Sequence, residues 1–126
     1  MAKILIVDDE PLVCEMLDVL LSGAGHEITT APNGAKAMKA LEEASVDLVI
    51  LDIVMPEKDG LETIMELRET NPDLKVIAIS GGPRIGTVDF LAAAKTFGAY
   101  AVFYKPLDND ELLAAVDKCL AETTST

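Results

Sequence analysis

The chain has 126 residues and a net charge of −12, from 22 acidic and 10 basic residues, which leaves room for one domain of ordinary size. Half of it is hydrophobic and a quarter is charged, as in packed globular domains and not in disordered ones, and with aromatics at 4% and no Trp the core must be aliphatic. The acidic balance argues against direct nucleic-acid binding, which needs a basic face, and against docking on an anionic membrane.

The first apolar run, Ile4–Val7, is too short for a signal segment or a membrane span, and we read the chain as cytoplasmic with no membrane insertion. Val13, Met16, Leu17, Leu20 and Leu21 then form one helical stripe, with Pro11 near its start and Gly23 or Gly25 near its end. Glu27–Ala31 is a weaker strand candidate. Ala37, Leu41 and Ala44 mark a second helix. Val46–Leu51 is a second strong apolar run. Leu61, Ile64 and Leu67 mark a third helix, stopped by Asn71-Pro72. Val76–Ile79 follows, then a fourth helix over Val88–Phe97 ended by Gly98, then the run Ala101–Tyr104. A fifth helix carries Leu112, Leu113, Val116 and Leu120, with Asp108 and Glu111 spaced as a capping box. Residues 1–122 read as one domain and 123–126 as a frayed tail.

The strong runs are rich in Val and Ile and hardly alternate, which suits strands buried on both faces. The order is therefore (βα)5, an α/β fold with a parallel sheet covered by helices on both faces. Cys14 and Cys119 lack metal-ligand spacing and read as small helical hydrophobes in a reducing compartment.

Ligands of such sheets sit at the carboxyl ends of the strands, so the residues that follow each run carry the functional signal. These are Asp8-Asp9-Glu10, Asp52, Ser80 and Lys105-Pro106. Taken singly, each is an ordinary turn or cap residue; the ordered set at four strand ends is what points to chemistry. Ionised carboxylates brought together repel one another and need a cation. All-oxygen ligands favour Mg²⁺, with Mn²⁺ as an alternative ion. Asp8 and Asp9 would hold the cation. Lys105 would offset charge, and Ser80 would donate one hydrogen bond. The set suits phosphoryl transfer to a carboxylate, with Asp52 as the nucleophile because its strand is central.

These residues resemble the receiver domain of bacterial two-component response regulators, the CheY-like superfamily. The motifs are Ile4-Leu-Ile-Val-Asp-Asp-Glu-Pro11, Asp47-Leu-Val-Ile-Leu-Asp-Ile-Val-Met-Pro56 with Asp59-Gly60, Ile79-Ser80-Gly81, and Gly98-Ala99 followed by Lys105-Pro106. The resemblance runs from Lys3 to about Leu120. It implies a flavodoxin-like fold of strand order 2-1-3-4-5. It also implies that Asp52 accepts a phosphoryl group from a phosphohistidine on a sensor histidine kinase or histidine phosphotransferase. Asp9 and Asp52 would ligate Mg²⁺ with the Val54 carbonyl, and Asp8 would act largely through water. Lys105 would contact the phosphoryl group, and Ser80 would be the switch hydroxyl. The product would be an aspartyl phosphate on a phosphoprotein that alters its binding to a downstream protein target. The family's output surface is the fourth helix, the fifth strand and the fifth helix. His26 lies away from this edge and reads as a structural residue.

The chain departs from the family pattern at three places. Val102 stands where receivers commonly carry a Tyr or Phe, so the aromatic switch is missing or altered; by strand parity Tyr100 or Tyr104 shares its face and is a candidate substitute. Gly81-Gly82 follow Ser80 and predict a mobile loop, unless they serve close packing. Val54 is apolar where a side chain affects hydrolysis, which implies slow loss of the phosphoryl group. Three rivals fit less well. A haloacid-dehalogenase-like phosphatase needs a second Asp two residues after the nucleophile, and Val54 is there instead. A flavin carrier needs a phosphate loop where Asp8-Asp9-Glu10 stand. A degenerate receiver would have lost the acceptor set that this chain keeps. The leading reading is a stand-alone phosphoacceptor signalling protein and not an enzyme; the alternative is a receiver fragment of a larger multidomain regulator or hybrid kinase.

Overall fold

A computed structural model describes residues 2–53, 60–80, 95, 98–104 and 107–124. Five strands, β1 (Lys3–Val7), β2 (Glu27–Ala31), β3 (Leu48–Asp52), β4 (Lys75–Ser80) and β5 (Ala101–Tyr104), form one sheet in the order β2-β1-β3-β4-β5. Every neighbouring pair is parallel. The helices among the described residues are α1 (Pro11–Gly23), α2 (Gly34–Glu43), α3 (Gly60–Thr70) and α4 (Asn109–Thr124). The last of these is the fifth helix expected from the sequence. The fourth expected helix, Val88–Phe97, lies outside the described residues except for Lys95, which is helical.

The central strands are buried because the two faces of the sheet are both covered. Leu5, Val7, Val49, Leu51, Val76 and Ala78 pack with Ala37 of α2 and with Ile64 and Leu67 of α3. The alternate residues Ile4, Ile6, Leu48, Ile50, Ile77 and Ile79 pack with Leu17 and Leu21 of α1 and with Leu112, Val116 and Cys119 of α4. This explains runs with no polar alternation. The edge strand β2 leaves Thr29 and Thr30 exposed, which is why its signal is weak.

Local chemistry sets the helix limits. Pro11 occupies the first turn of α1, and Gly25 beyond its end adopts φ +96°. Asn33 caps α2 by accepting the Lys36 N–H at 2.9 Å. Asp108 caps α4 by accepting the Glu111 N–H at 3.1 Å. The stop at Asn71-Pro72 matches the end of α3 at Thr70.

One expectation needs correction. Met16 is 66% exposed, beside Leu12 and Val19, and does not belong to the buried stripe. The buried line of α1 runs through Leu17 and Leu21, and Met16 lies about 100° round the helix from Leu17. α4 runs through Thr124. No Gly or Pro after Leu120 marks an earlier stop.

Cys14 and Cys119 lie on helices, half-buried and buried respectively, and form no disulfide. His26 is half-buried, and its Nδ1 accepts the Ala2 N–H at 3.3 Å, a structural role.

Candidate functional site

The parallel register carries the four strand ends to one edge. Val7 pairs with Leu51, so the residues after them, Asp8 and Asp52, reach that edge together. Asp8 is tied to β2 by its N–H, which donates to the Ala31 carbonyl at 3.1 Å. Asp52 closes β3 opposite Ile79 of β4, and the next N–H, from Ile53, donates to the Ile79 carbonyl at 3.0 Å. Ser80 closes β4 and pairs with Tyr104 of β5. Asp8, Asp52 and Ser80 are almost wholly buried, at 1%, 2% and 4% exposure. Such burial of acidic side chains is uncommon unless they are paired or hold a metal.

The structure gathers Asp8, Glu10 and Asp52 into one group, with a carboxylate oxygen from each within 4.8 Å of the others. Asp9 is exposed and stands outside this group. With Asp8 and Thr30 it lines a neighbouring cavity of about 370 Å³. Glu10 was not singled out from the sequence, although it belongs to the acidic triplet after β1. The signal that finds it is the turn itself: Asp8 Oδ1 accepts the Glu10 N–H at 2.9 Å, folding the chain back over two residues. Val54 and Lys105 lie outside the described residues.

The three residues named for the switch separate. Val102 packs on the α2–α3 side of the sheet. Tyr100 packs on the opposite side, against the α1–α4 core, with the Lys75 ammonium 5.1 Å from its ring centroid. The shared face expected for Tyr100 and Val102 therefore fails, because Tyr100 lies in a bend before β5 begins and strand parity does not extend to it. Tyr104 closes β5 at 47% exposure, opposite Ser80.

The response regulator receiver domain matches residues 4–117. The chain belongs to the response regulator receiver domain family. The transcriptional regulatory protein ZraR of Klebsiella oxytoca is 38% identical over 95% of this chain and 26% of its own length. The DNA-binding transcriptional regulator NtrC of Azospirillum brasilense is 32% identical over 98% of this chain and 25% of its own length. The chain thus spans about a quarter of the length of these curated relatives. The signal receiver domain of an HD domain-containing protein from Pseudomonas fluorescens Pf-5 has the same fold at a TM-score of 0.90, with 29% identity and 98% of each chain covered.

Receiver domains are phosphoacceptor modules of phosphorelay signalling and bind Mg²⁺ through acidic residues. The donors in this receiver fit that ion. They are all carboxylate oxygens, they converge, and no soft sulfur or imidazole ligand stands in the group. Cys14 is close by, but its Sγ–H donates to the Asp8 carbonyl at 3.4 Å and so braces the backbone of the acidic turn. No helix among the described residues is long and apolar enough to cross a membrane.

Proposed function

We propose that Asp52 is the phosphoacceptor of this receiver domain. The observation that carries the reading is a buried Asp52 at the end of a central strand, converging with Asp8 and Glu10 in a chain of this family. A carboxylate oxygen of Asp52 forms a bond to phosphorus. The bond from phosphorus to an imidazole nitrogen of the phosphodonor breaks, and its electron pair leaves with that nitrogen. A Mg²⁺ ion, when bound, neutralises charge on the transferring group. Asp8 and Asp52 are held rigidly by burial, which fixes where that charge is met. By their positions in the family, Asp9, Asp52 and the Val54 carbonyl would hold the ion, and Asp8 would act largely through water. Ser80, buried at the adjacent strand end, donates a hydrogen bond to a phosphoryl oxygen, and Lys105 contacts another.

The phosphodonor is a sensor histidine kinase or a histidine phosphotransferase. Phosphorylation shifts a two-state equilibrium and alters binding to a downstream protein target. The chain acts on no other substrate, binds no nucleic acid directly, and works in the cytoplasm, where cysteines such as Cys14 and Cys119 stay out of disulfides. Of the aromatic candidates for the switch, Tyr104 is favoured by its exposure and its place opposite Ser80, while Tyr100 is anchored in the core. A second reading, the receiver portion of a longer regulator, is favoured by the quarter-length match to ZraR and NtrC.

The test is intact mass after incubation with a small acyl phosphate, with and without Mg²⁺. We expect a gain of one phosphoryl group that requires both Mg²⁺ and Asp52, with no gain in Asp52→Asn. Phosphate retained by the Asp52→Asn variant would overturn the assignment. Lys105→Ala is expected to accept phosphate but to lose the change in target binding. Val54→Asn should lose the phosphoryl group faster than wild type, because a polar side chain there orients the attacking water.

A further inference from the structure

We infer that the amino end of the sheet carries a docking site for a partner protein, a cleft between the ends of α2 and α3 that takes an arginine- or lysine-bearing segment. The cleft lies at the opposite edge from Asp52, so the inference does not depend on the phosphoacceptor reading.

The chain's own connections form the cleft. α2 and α3 each return the chain to the start of the next strand, so their carboxyl ends, at Glu43 and Thr70, come down beside the starts of β3 and β4. Between them lies a cavity of about 440 Å³. Leu41, Val46 and Leu74 are half-buried against the α2–α3 side of the core and give it an apolar wall. Asp47 and Asp73 are exposed and form its rim. The Asp47 Oδ2 accepts the Lys3 N–H at 2.8 Å, which fixes that carboxylate in place. No lysine, arginine or histidine stands among the described residues that line the cavity.

The backbone adds to this charge. A helix carries partial negative charge at its carboxyl end, where a basic side chain is favourable. α2 has no basic residue in its last turn, and it ends instead in Glu42 and Glu43. α3 has Arg68, but that guanidinium donates to the carbonyls of Pro72 and Leu74 and is engaged within the loop. Two helix ends and two carboxylates therefore face an apolar wall. An anionic group would be repelled there. A purely apolar side chain would strip water from the rim and give nothing back. A second copy of this chain brings another net charge of −12. The side chain that fits has an aliphatic stem and a cationic head: the stem covers Leu41, Val46 and Leu74 while the head meets Asp47 and Asp73. Arginine suits this best, because its guanidinium is weakly hydrated and pairs well with carboxylates.

The experiment is amide chemical-shift mapping of the full chain with a capped synthetic peptide of alternating arginine and leucine. The largest shifts are expected at Leu41, Val46, Asp47 and Leu74. An Asp47→Asn, Asp73→Asn double variant should bind the peptide about 5-fold more weakly, and Asp73→Asn alone about 2-fold. Asn keeps an acceptor for the Lys3 N–H and both positions are exposed, so the variants are expected to fold, which a thermal melt checks. Replacing the peptide's arginines by citrulline should abolish the shifts. Shifts centred on the exposed Leu12, Met16 and Val19 of α1 would overturn the inference, as would variants that bind as tightly as wild type. Spermine giving the same shifts at equal affinity would also overturn it, because the cleft would then read charge alone and not a protein segment. None of these outcomes bears on phosphate uptake at Asp52, which the mass measurement tests separately.

Discussion

The two ends of the same parallel sheet are built on opposite electrostatic plans. At the amino end, polar groups close on one another. The Asp47 carboxylate accepts the Lys3 N–H at 2.8 Å, and the Asp47 N–H donates to the Lys3 carbonyl at 2.7 Å. The Arg68 guanidinium donates to the carbonyls of Pro72 and Leu74, and its stem lies beneath the turn at Gly98. The Tyr100 N–H donates to the Val76 carbonyl at 2.7 Å, while its ring faces the Lys75 ammonium. At the carboxyl end, three carboxylates converge instead. An Asp at one end completes a hydrogen-bond network; an Asp at the other converges with two further carboxylates. The first arrangement stabilises the fold without a ligand; the second gathers like charge in a geometry that fits a cation.

This contrast yields predictions of decreasing size. Ile50, fully buried between the two ends, belongs to neither plan. Ile50→Ala should cost about 2 to 5 kcal/mol in denaturant unfolding and disturb both ends alike. Gly98 sits at the amino end with φ +112°, and a Cβ there would lie 2.9 Å from Arg68 Cδ. Gly98→Ala should therefore cost about 2 kcal/mol, read by the same unfolding curves, and leave Mg²⁺ affinity as in wild type. Asp47→Ala should cost roughly 1 kcal/mol, again with Mg²⁺ affinity intact. Asp52→Asn should reverse the sign. In a chelator it should gain on the order of 0.5 to 1 kcal/mol, by removing like-charge repulsion. A loss of stability in that last variant would break the contrast, since both ends would then behave as structural networks.

Much of this was legible in the sequence, for identifiable reasons. β3 and β4 read clearly because both of their faces are covered, so Leu48–Leu51 and Val76–Ile79 needed no polar alternation. The stop before Pro72 and the cap at Asp108 are decided within a few residues, and the structure has both. Asp8, Asp52 and Ser80 fell on one edge because parallel strands place their ends together. What failed depended on tertiary geometry. Whether Met16 is buried turns on where α1 lies against the sheet, which a stripe of apolar residues does not fix. The face taken by Tyr100 depends on a bend that interrupts strand parity. Sequence alone does not separate Glu10 from Asp9, because which side chain returns to the site is set by a turn hydrogen bond two residues long.

The strand order carries a consequence for how the chain reaches its fold. β1 is synthesised first, yet it lies inside the sheet, where Ile4 pairs with Ile28 on one side and with Leu48 on the other. Each of these pairings closes a long stretch of chain, and parallel pairings of this range are gained slowly in folding. The acidic turn at Asp8 and the strand end at Asp52 therefore meet only after that slow step. A chain caught with β1 and β2 joined but β3 unpaired would hold Asp8 and Glu10 without Asp52. A cation site built from these carboxylates would then form late in folding, and the rate at which Mg²⁺ affinity appears during refolding should follow the rate of sheet closure and not that of helix formation.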